Sequence, residues 1–341
     1  MRSLNTVPPH GWIVLPPLVA AGARYWTFGD ARRAVQQHHP EFTQAEAEER
    51  VDRENALRCM HNGAHHFVVS DARPEWPEPD KALAGDAPVF VQLGRFGDLI
   101  ILLPAFLEIY VRGGHKPRVI VSWEYGSVLD GVSYVESTAL PVNWYSGMPD
   151  ARKFAANLTG VAAKVLQCHG HEWGVDTSKW PNYMASMWDR AGFTADEVKS
   201  LPLIFDRRNW DREAALVASC RGNDPRPMLL INGSGVSSPF GGWPYVAEMA
   251  ASLKQFHVID LGKIKAERIY DLLGLMDAAA GMVTIDTATL HLAKGSKLPY
   301  IALLVGGWSQ STPQGNCALA LPYDTAAGHI TKMREIIETW T

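Results

Sequence analysis

The 341 residues are too many for one ordinary core and fit two domains of roughly 150 residues plus an extra segment. A hydrophobic fraction of 47% and a charged fraction of 20% are those of a folded globular chain and exclude a long disordered region. A net charge of −4 and a pI near 6.3 provide no global field for nucleic acid or an anionic membrane.

The start of the chain, MRSLNTVPPHGWIVLPP, is broken by prolines before it can form a signal-peptide apolar core, and no run approaches a transmembrane length. The four cysteines, Cys59, Cys168, Cys220 and Cys317, lie apart without a Cys-x-x-Cys pair, as free thiols in a reducing compartment do. The expectation is a cytoplasmic protein without integral membrane association. Residues 1–85 read as an accessory segment: a Trp/Pro-rich start, two helical stretches, the second opened by a Thr43/Glu46 capping box, and a proline-studded linker.

From residue 86 short apolar runs alternate with amphipathic helices, the pattern of parallel sheets covered by helices, so the expected fold class is α/β with two Rossmann-like domains. The first, 86–205, opens with strand APVFVQLG, helix DLIILLPAFLEIYVRGG and strand PRVIVSW, with AKVLQC a later strand. The second, 206–325, takes in a helix in the crossing segment and then strand PMLLING, helix WPYVAEMAASLK, strand FHVIDLG, helix KAERIYDLLGLMDAAA, strand GMVTID, helix TATLHLAKGS and strand PYIALLV. Residues 326–341 are expected to form a last helix.

Three turns carry candidate chemistry. Gly94, Arg95, Gly97 and Asp98 occupy the turn from the first strand into its helix, at the carboxyl edge where open α/β sheets bind ligands. Two glycines without a third do not make a dinucleotide fingerprint, and Asp98 would repel a pyrophosphate placed on that helix start. The turn suits a general base. A helix cap is the alternative for Asp98, worth about 1 kcal/mol. In the second domain, Asp286, Thr287, Thr289 and His291 lie where a strand passes into a helix, so that amides and hydroxyls there can seat a diphosphate. Asp286 as a cap and His291 as a half-buried histidine are the plainer readings. The loop Gly233-Ser234-Gly235 with Ser237, running on to Trp243-Pro244, offers further amides and hydroxyls at the equivalent edge of the same domain.

The order of Gly97-Asp98-Leu99-Ile100-Ile101-Leu102-Leu103-Pro104, the Gly/Ser loop ending in Trp243-Pro244, and Asp286-Thr287 with His291-Leu292-Ala293 resembles the heptosyltransferase family, glycosyltransferase family nine. The resemblance covers about 87–325. It implies two facing Rossmann-like domains, the glycosyltransferase-B fold, with Asp98 as catalytic base, and residues 233–238, Asp286, Thr287 and His291 at a nucleotide-sugar site. The implied reaction is an inverting sugar transfer to an acceptor hydroxyl, the acceptor being a lipopolysaccharide or other glycan. The nucleotide sugar is then a co-substrate, and no other cofactor is expected. With no Asp-x-Asp triplet in the chain, no metal is expected either.

Two departures bear on the donor. Gly241-Gly242 stands where family members often carry Lys before Trp-Pro, leaving Lys263, Lys265 or Arg95 to pair with phosphate, and Ala288 replaces the glycine usual after Asp-Thr. The opening Gly11-Trp12-Ile13-Val14 resembles small modules at the start of some bacteriophage proteins, which adds a hydroxymethylated DNA base as an alternative acceptor. Two further functions fit the same elements: a nucleotide-dependent oxidoreductase or epimerase, with Glu124 holding a ribose, and an inactive sugar-binding protein. The Cys59/His61/His65/His66 and Cys168/His169/His171 clusters lack the paired spacing of a structural zinc site.

Overall fold

The computed structural model describes residues 88–122, 124–140, 163–166, 179–235, 239–306 and 311–340, with the backbone of an antiparallel pair, Ile13–Val14 and Arg24–Tyr25. The Thr43 capping box, both Cys/His clusters and Ser237 lie outside the described residues.

The first sheet holds β1 (Val89–Gln92), β2 (Arg118–Ser122), β3 (Glu136–Leu140) and β4 (Lys164–Val165), all parallel, in the order β3-β2-β1-β4. Its first helix, α1 (Phe96–Gly113), follows β1. The helix starts where Arg95 takes an extended conformation and the Asp98 carboxylate accepts the Arg95 amide at 2.8 Å. It ends at Gly114, whose left-handed φ of 68° lets its amide reach the Tyr110 carbonyl.

Pro104 lies inside α1 and cannot donate to the carbonyl one turn back. Beside that gap, the indole of the fully buried Trp188 donates to the Ile101 carbonyl at 3.0 Å. Trp188 belongs to α2 (Tyr183–Ala191), which is followed by α3 (Ala195–Ser200). Each has a side-chain cap, from Asn182 and Thr194 respectively.

A crossing segment ties the halves together. Tyr134 donates to the Ile204 carbonyl at 2.8 Å, Ser133 binds Asp206, and the Arg207 amide reaches Gly131. The chain then enters α4 (Trp210–Arg221). Arg208 pairs with Glu213 and Asp277, and Arg212 with Asp271, fixing α4 to α6 (Leu272–Ala278).

The second sheet is also wholly parallel: β5 (Met228–Asn232), β6 (His257–Asp260), β7 (Gly281–Ile285), β8 (Tyr300–Leu304) and β9 (Cys317–Pro322), ordered β9-β8-β7-β5-β6. Its remaining helices are α5 (Trp243–Ser252), α7 (Ala288–Leu292), α8 (Tyr323–Ala326) and α9 (Ile330–Glu338). Met333 and Ile337 of α9 are fully buried among Val246, Met249 and Val283 in one apolar layer of this sheet.

The other face of the second sheet shares a single apolar cluster with the first. Phe90, Leu102 and Val121 belong to the same cluster as Met228, Leu275, Met282, Leu292 and Tyr300. The sequence reading did not assign β3, β9, α2 or α3. The helix expected over 265–280 is shorter, a 3-10 turn at Ile269–Asp271 leading into α6. The 287–296 helix likewise ends in a 3-10 turn, Ala293–Gly295.

The Trp188 indole predicts a stability effect. Trp188→Phe removes the indole donor to the Ile101 carbonyl, so the variant is expected to lose about 1 kcal/mol, read as a lower denaturant midpoint at unchanged slope.

Candidate functional site

Each sheet has a switch point where strand order reverses, and in open α/β sheets ligands bind beyond the carboxyl ends of the strands there. In the first sheet it falls between β1 and β4, so the turn 93–98 leaving β1 stands at it. In the second it falls between β5 and β7, where the 233–235 loop and the 286–287 turn emerge.

The two switch points meet. A Cβ built on Gly97 would stand 3.1 Å from His291 Cδ2 and 3.7 Å from the Ala288 Cα. Glycine is what permits the start of α1 to lie against α7. Gly94 serves a different closeness, since a Cβ there would stand 2.4 Å from Asp98 Oδ2. The absence of a side chain at Gly94 lets the Asp98 carboxylate fold back onto the Arg95 amide. Asp98 is thus a helix cap in the structure. An ionised carboxylate has about four acceptor positions, so that bond and a role as base are compatible. Arg95 and Gly97 share the half-buried rim of this turn.

Around the 286–291 turn the polar groups are buried and mutually engaged. The helix cap expected of Asp286 is not its role: Thr287 is the N-cap residue of α7 and no side chain caps that helix. Asp286, 6% exposed, accepts instead from Ser311, through the amide at 3.1 Å and the hydroxyl at 2.5 Å. Burial raises the Asp286 carboxyl above its ordinary range, against the opposing effect of those Ser311 donors.

The Thr289 hydroxyl, expected beside a diphosphate, is buried and bonded to Asn232 Nδ2 at 2.8 Å, Thr284 Oγ1 at 2.8 Å and Thr287 Oγ1 at 2.9 Å. It braces the β5 and β7 ends. Asn232 also donates to Thr287 at 3.1 Å and accepts from the Ser234 amide, so it sets the course of the 233–235 loop.

Gly233 is needed for packing as well as for amide access, because a Cβ there would run into the Trp243 indole at 2.0 Å. Gly235 continues this loop in a half-buried position. A Cβ on Gly262 would meet Ser234 Oγ at 2.2 Å, which places Lys263, one residue on, beside the same loop. Lys263 has an 82% exposed side chain, 3.4 Å from Asp260. Lys265 is exposed on the segment that follows. Gly241 meets nothing within 4 Å, and Gly242 packs under Phe240, which stacks on Tyr323 with ring centres 4.7 Å apart. Glu124 lies past the end of β2, its amide bonded to Ser122.

Sequence reasoning did not select Tyr183 and Ser311. Tyr183 Oη lies 3.0 Å from Ser311 Oγ, while Asn182 Nδ2 bonds Thr312 Oγ1 at 2.8 Å. Burial raises the Tyr183 phenol well above its usual range, and the charges of Asp286 and Asp98 add to that rise. Asp98 and Asp286 therefore bear on one buried phenol. The only local signal was Asn182 ahead of an apolar helical stretch. Among the described residues no group of three His, Cys, Asp or Glu could hold a metal ion, and no helix is long and apolar enough to cross a membrane.

Two facing Rossmann-like sheets joined at their switch points define a glycosyltransferase-B type fold. The structure of the E. coli ADP-heptose lipopolysaccharide heptosyltransferase II is similar with a TM-score of 0.53 at 13% identity, over 74% of this chain and 100% of that one. The glycosyl transferase family 9 protein from Veillonella parvula DSM 2008 gives 0.47 at 12% identity, over 74% and 90% of the two chains. E. coli heptosyltransferase WaaC with ADP gives 0.48 at 11% identity, over 75% and 100%. No protein-family model and no curated protein matches the sequence.

His291 yields a pH prediction. Burial lowers its imidazole pKa to about 3, whereas an unfolded histidine titrates near 6.5. Between these values the unfolded chain binds more protons, so this contribution to stability is full above pH 6.5 and falls away as pH drops toward 3. Its limiting slope is about 1.4 kcal/mol per pH unit. Asp286, with a raised pKa, acts in the opposite sense, since the folded chain takes its proton first. Denaturant midpoints measured from pH 7 to pH 4 are expected to fall less steeply in His291→Asn than in the parent.

Proposed function

We propose that the chain is an inverting glycosyltransferase that moves a sugar from a nucleotide-sugar donor to a hydroxyl of a lipopolysaccharide or other glycan. The observation that carries this reading is the contact of Gly97 with His291 and Ala288, which sets the Asp98 turn against the 286–291 turn. A carboxylate carried by one sheet then lies on a turn packed against the proposed diphosphate seat of the other. The fold shared with a heptosyltransferase that takes ADP-heptose supports the donor class.

In this reading Asp98 accepts the proton of the acceptor hydroxyl while that oxygen attacks the anomeric carbon. The carbon–oxygen bond to the diphosphate breaks as the new one forms, and the nucleoside diphosphate leaves from the opposite face. Amides of the 233–235 loop and the 287–288 turn, with Ser234 and Thr287, hold the diphosphate, and Lys263 supplies a cation from the neighbouring segment. His291, buried and neutral, shapes the seat and adds no charge. Binding of both substrates between two rigid sheet ends supplies the orientation that a displacement needs.

The test is release of nucleoside diphosphate from a panel of nucleotide sugars, with lipopolysaccharide core, simple glycans or hydroxymethylated DNA as acceptor. Turnover with a glycan acceptor is expected, falling by about 10²–10⁴-fold in Asp98→Asn with donor binding retained. Turnover only with DNA would overturn the acceptor assignment, and full activity in Asp98→Asn would overturn the base.

A further inference from the structure

Resting on the reading of Asp98 as base, we infer that Gln92 is a positioning residue for it, holding from below the turn that carries the carboxylate. Gln92 closes β1 and is fully buried. It shares a face of the strand with Phe90, two residues earlier, which belongs to the apolar cluster that also contains Met187. The three residues before it are Val89, Phe90 and Val91, and a leucine in its place would leave no polar group to satisfy. Gln92 instead makes two bonds. Its Oε1 accepts the Gly94 amide at 2.9 Å, and its Nε2 donates to the Met187 thioether at 3.1 Å. One end of the side chain holds the turn, and the other is anchored on α2.

The consequence reaches Asp98 through the backbone. The peptide between residues 93 and 94 is fixed by Gln92 through the Gly94 amide, and the next peptide by Asp98, which accepts the Arg95 amide at 2.8 Å. Between these two peptide planes only the φ and ψ of Gly94 can turn. Glycine restrains those angles less than any other residue. A stiffer residue is excluded there, because a Cβ on Gly94 would overlap the Asp98 carboxylate. The room that Asp98 needs thus removes local stiffness from the turn, and Gln92 restores it from outside. With the Gly94 amide released, the following peptide can rotate and carry the Arg95 amide away from the carboxylate. Asp98 then loses the bond that fixes its rotamer.

The same pair of bonds engages two consecutive amides, those of Gly94 and Arg95, with side-chain acceptors of this chain. Neither is offered to a phosphate. Gln92 touches no substrate in this arrangement and acts through Asp98.

Hydrogen exchange of single amides, followed by NMR, tests the hold without turnover. In Gln92→Met, which keeps the volume and removes the carbonyl, the Gly94 and Arg95 amides are both expected to exchange about tenfold faster. The Leu166 amide, bonded to the Val91 carbonyl one residue earlier on β1, is expected to keep the parent rate. Met187→Leu, a volume-conserving change, removes the anchor of Nε2 and is expected to speed the same two amides about threefold. It decides the matter if Gln92→Met does not fold. Faster exchange at Gly94 with Arg95 at the parent rate would overturn the inference, since the hold would stop short of Asp98. Equal acceleration at Leu166 would overturn it too, making Gln92 a support of the whole strand.

Where sugar transfer is observed, kcat is expected to fall about tenfold in Gln92→Met with donor KM unchanged. Gln92→Glu, of the same shape and able to accept the Gly94 amide, is expected to stay within about threefold of the parent. A fall in kcat accompanied by an equal rise in donor KM, or no recovery in Gln92→Glu, counts against positioning. Loss of activity in Asp98→Asn with Gln92→Met at parent kcat keeps the base and removes the positioning role. Activity surviving Asp98→Asn removes the base, while the exchange rates still decide whether Gln92 holds the turn.

Discussion

The closest approach at this junction rests on one steric allowance, the missing side chain at Gly97. It lets the first turn of α1 come within van der Waals range of His291 and Ala288, beside the apolar cluster that the two halves share. Each sheet by itself has an unremarkable switch point. Their contact sets a carboxylate-bearing turn of one sheet beside the amide-rich turns of the other. The same approach explains why His291 is buried and neutral, since α1 covers it.

Asp98 has a structural duty beside the chemical one proposed for it. The bond from the Arg95 amide fixes the carboxylate rotamer, and the absence of a side chain at Gly94 gives it room. In its proposed role as base, a carboxylate held this way would meet an acceptor hydroxyl in a fixed orientation. Asp286 is restrained as well, by the two Ser311 donors, in a drier setting. Two aspartates at neighbouring sheet ends thus experience opposite surroundings, one on a half-buried helix start and one in the interior.

The parallel strands, the first helix and the three candidate turns were legible in the sequence because they rest on local signals: apolar runs of strand length, glycines at strand ends, and a helix following each. β3 escaped notice because ESTAL is a polar edge strand without an apolar run, and CALALP because alternation against a proline reads as loop. The roles within the 286–291 turn were less legible. Whether the Thr289 hydroxyl faces a ligand or Asn232 depends on how β5 lies beside β7, which no local pattern encodes. Tyr183 and Ser311 are further still from local inference, since a lone Tyr at a helix start and a Ser before Thr-Pro acquire meaning only when the two sheets meet.

The apolar cluster that runs from Phe90 and Leu102 through Leu275 to Tyr300 has a consequence for how this molecule can move and be divided. Proteins of two lobes with separate interiors can swing open about a linker and can exchange a lobe with a relative. Here a cut through the crossing segment would expose a hydrophobic face on both pieces, so the lobes must melt as one cooperative unit.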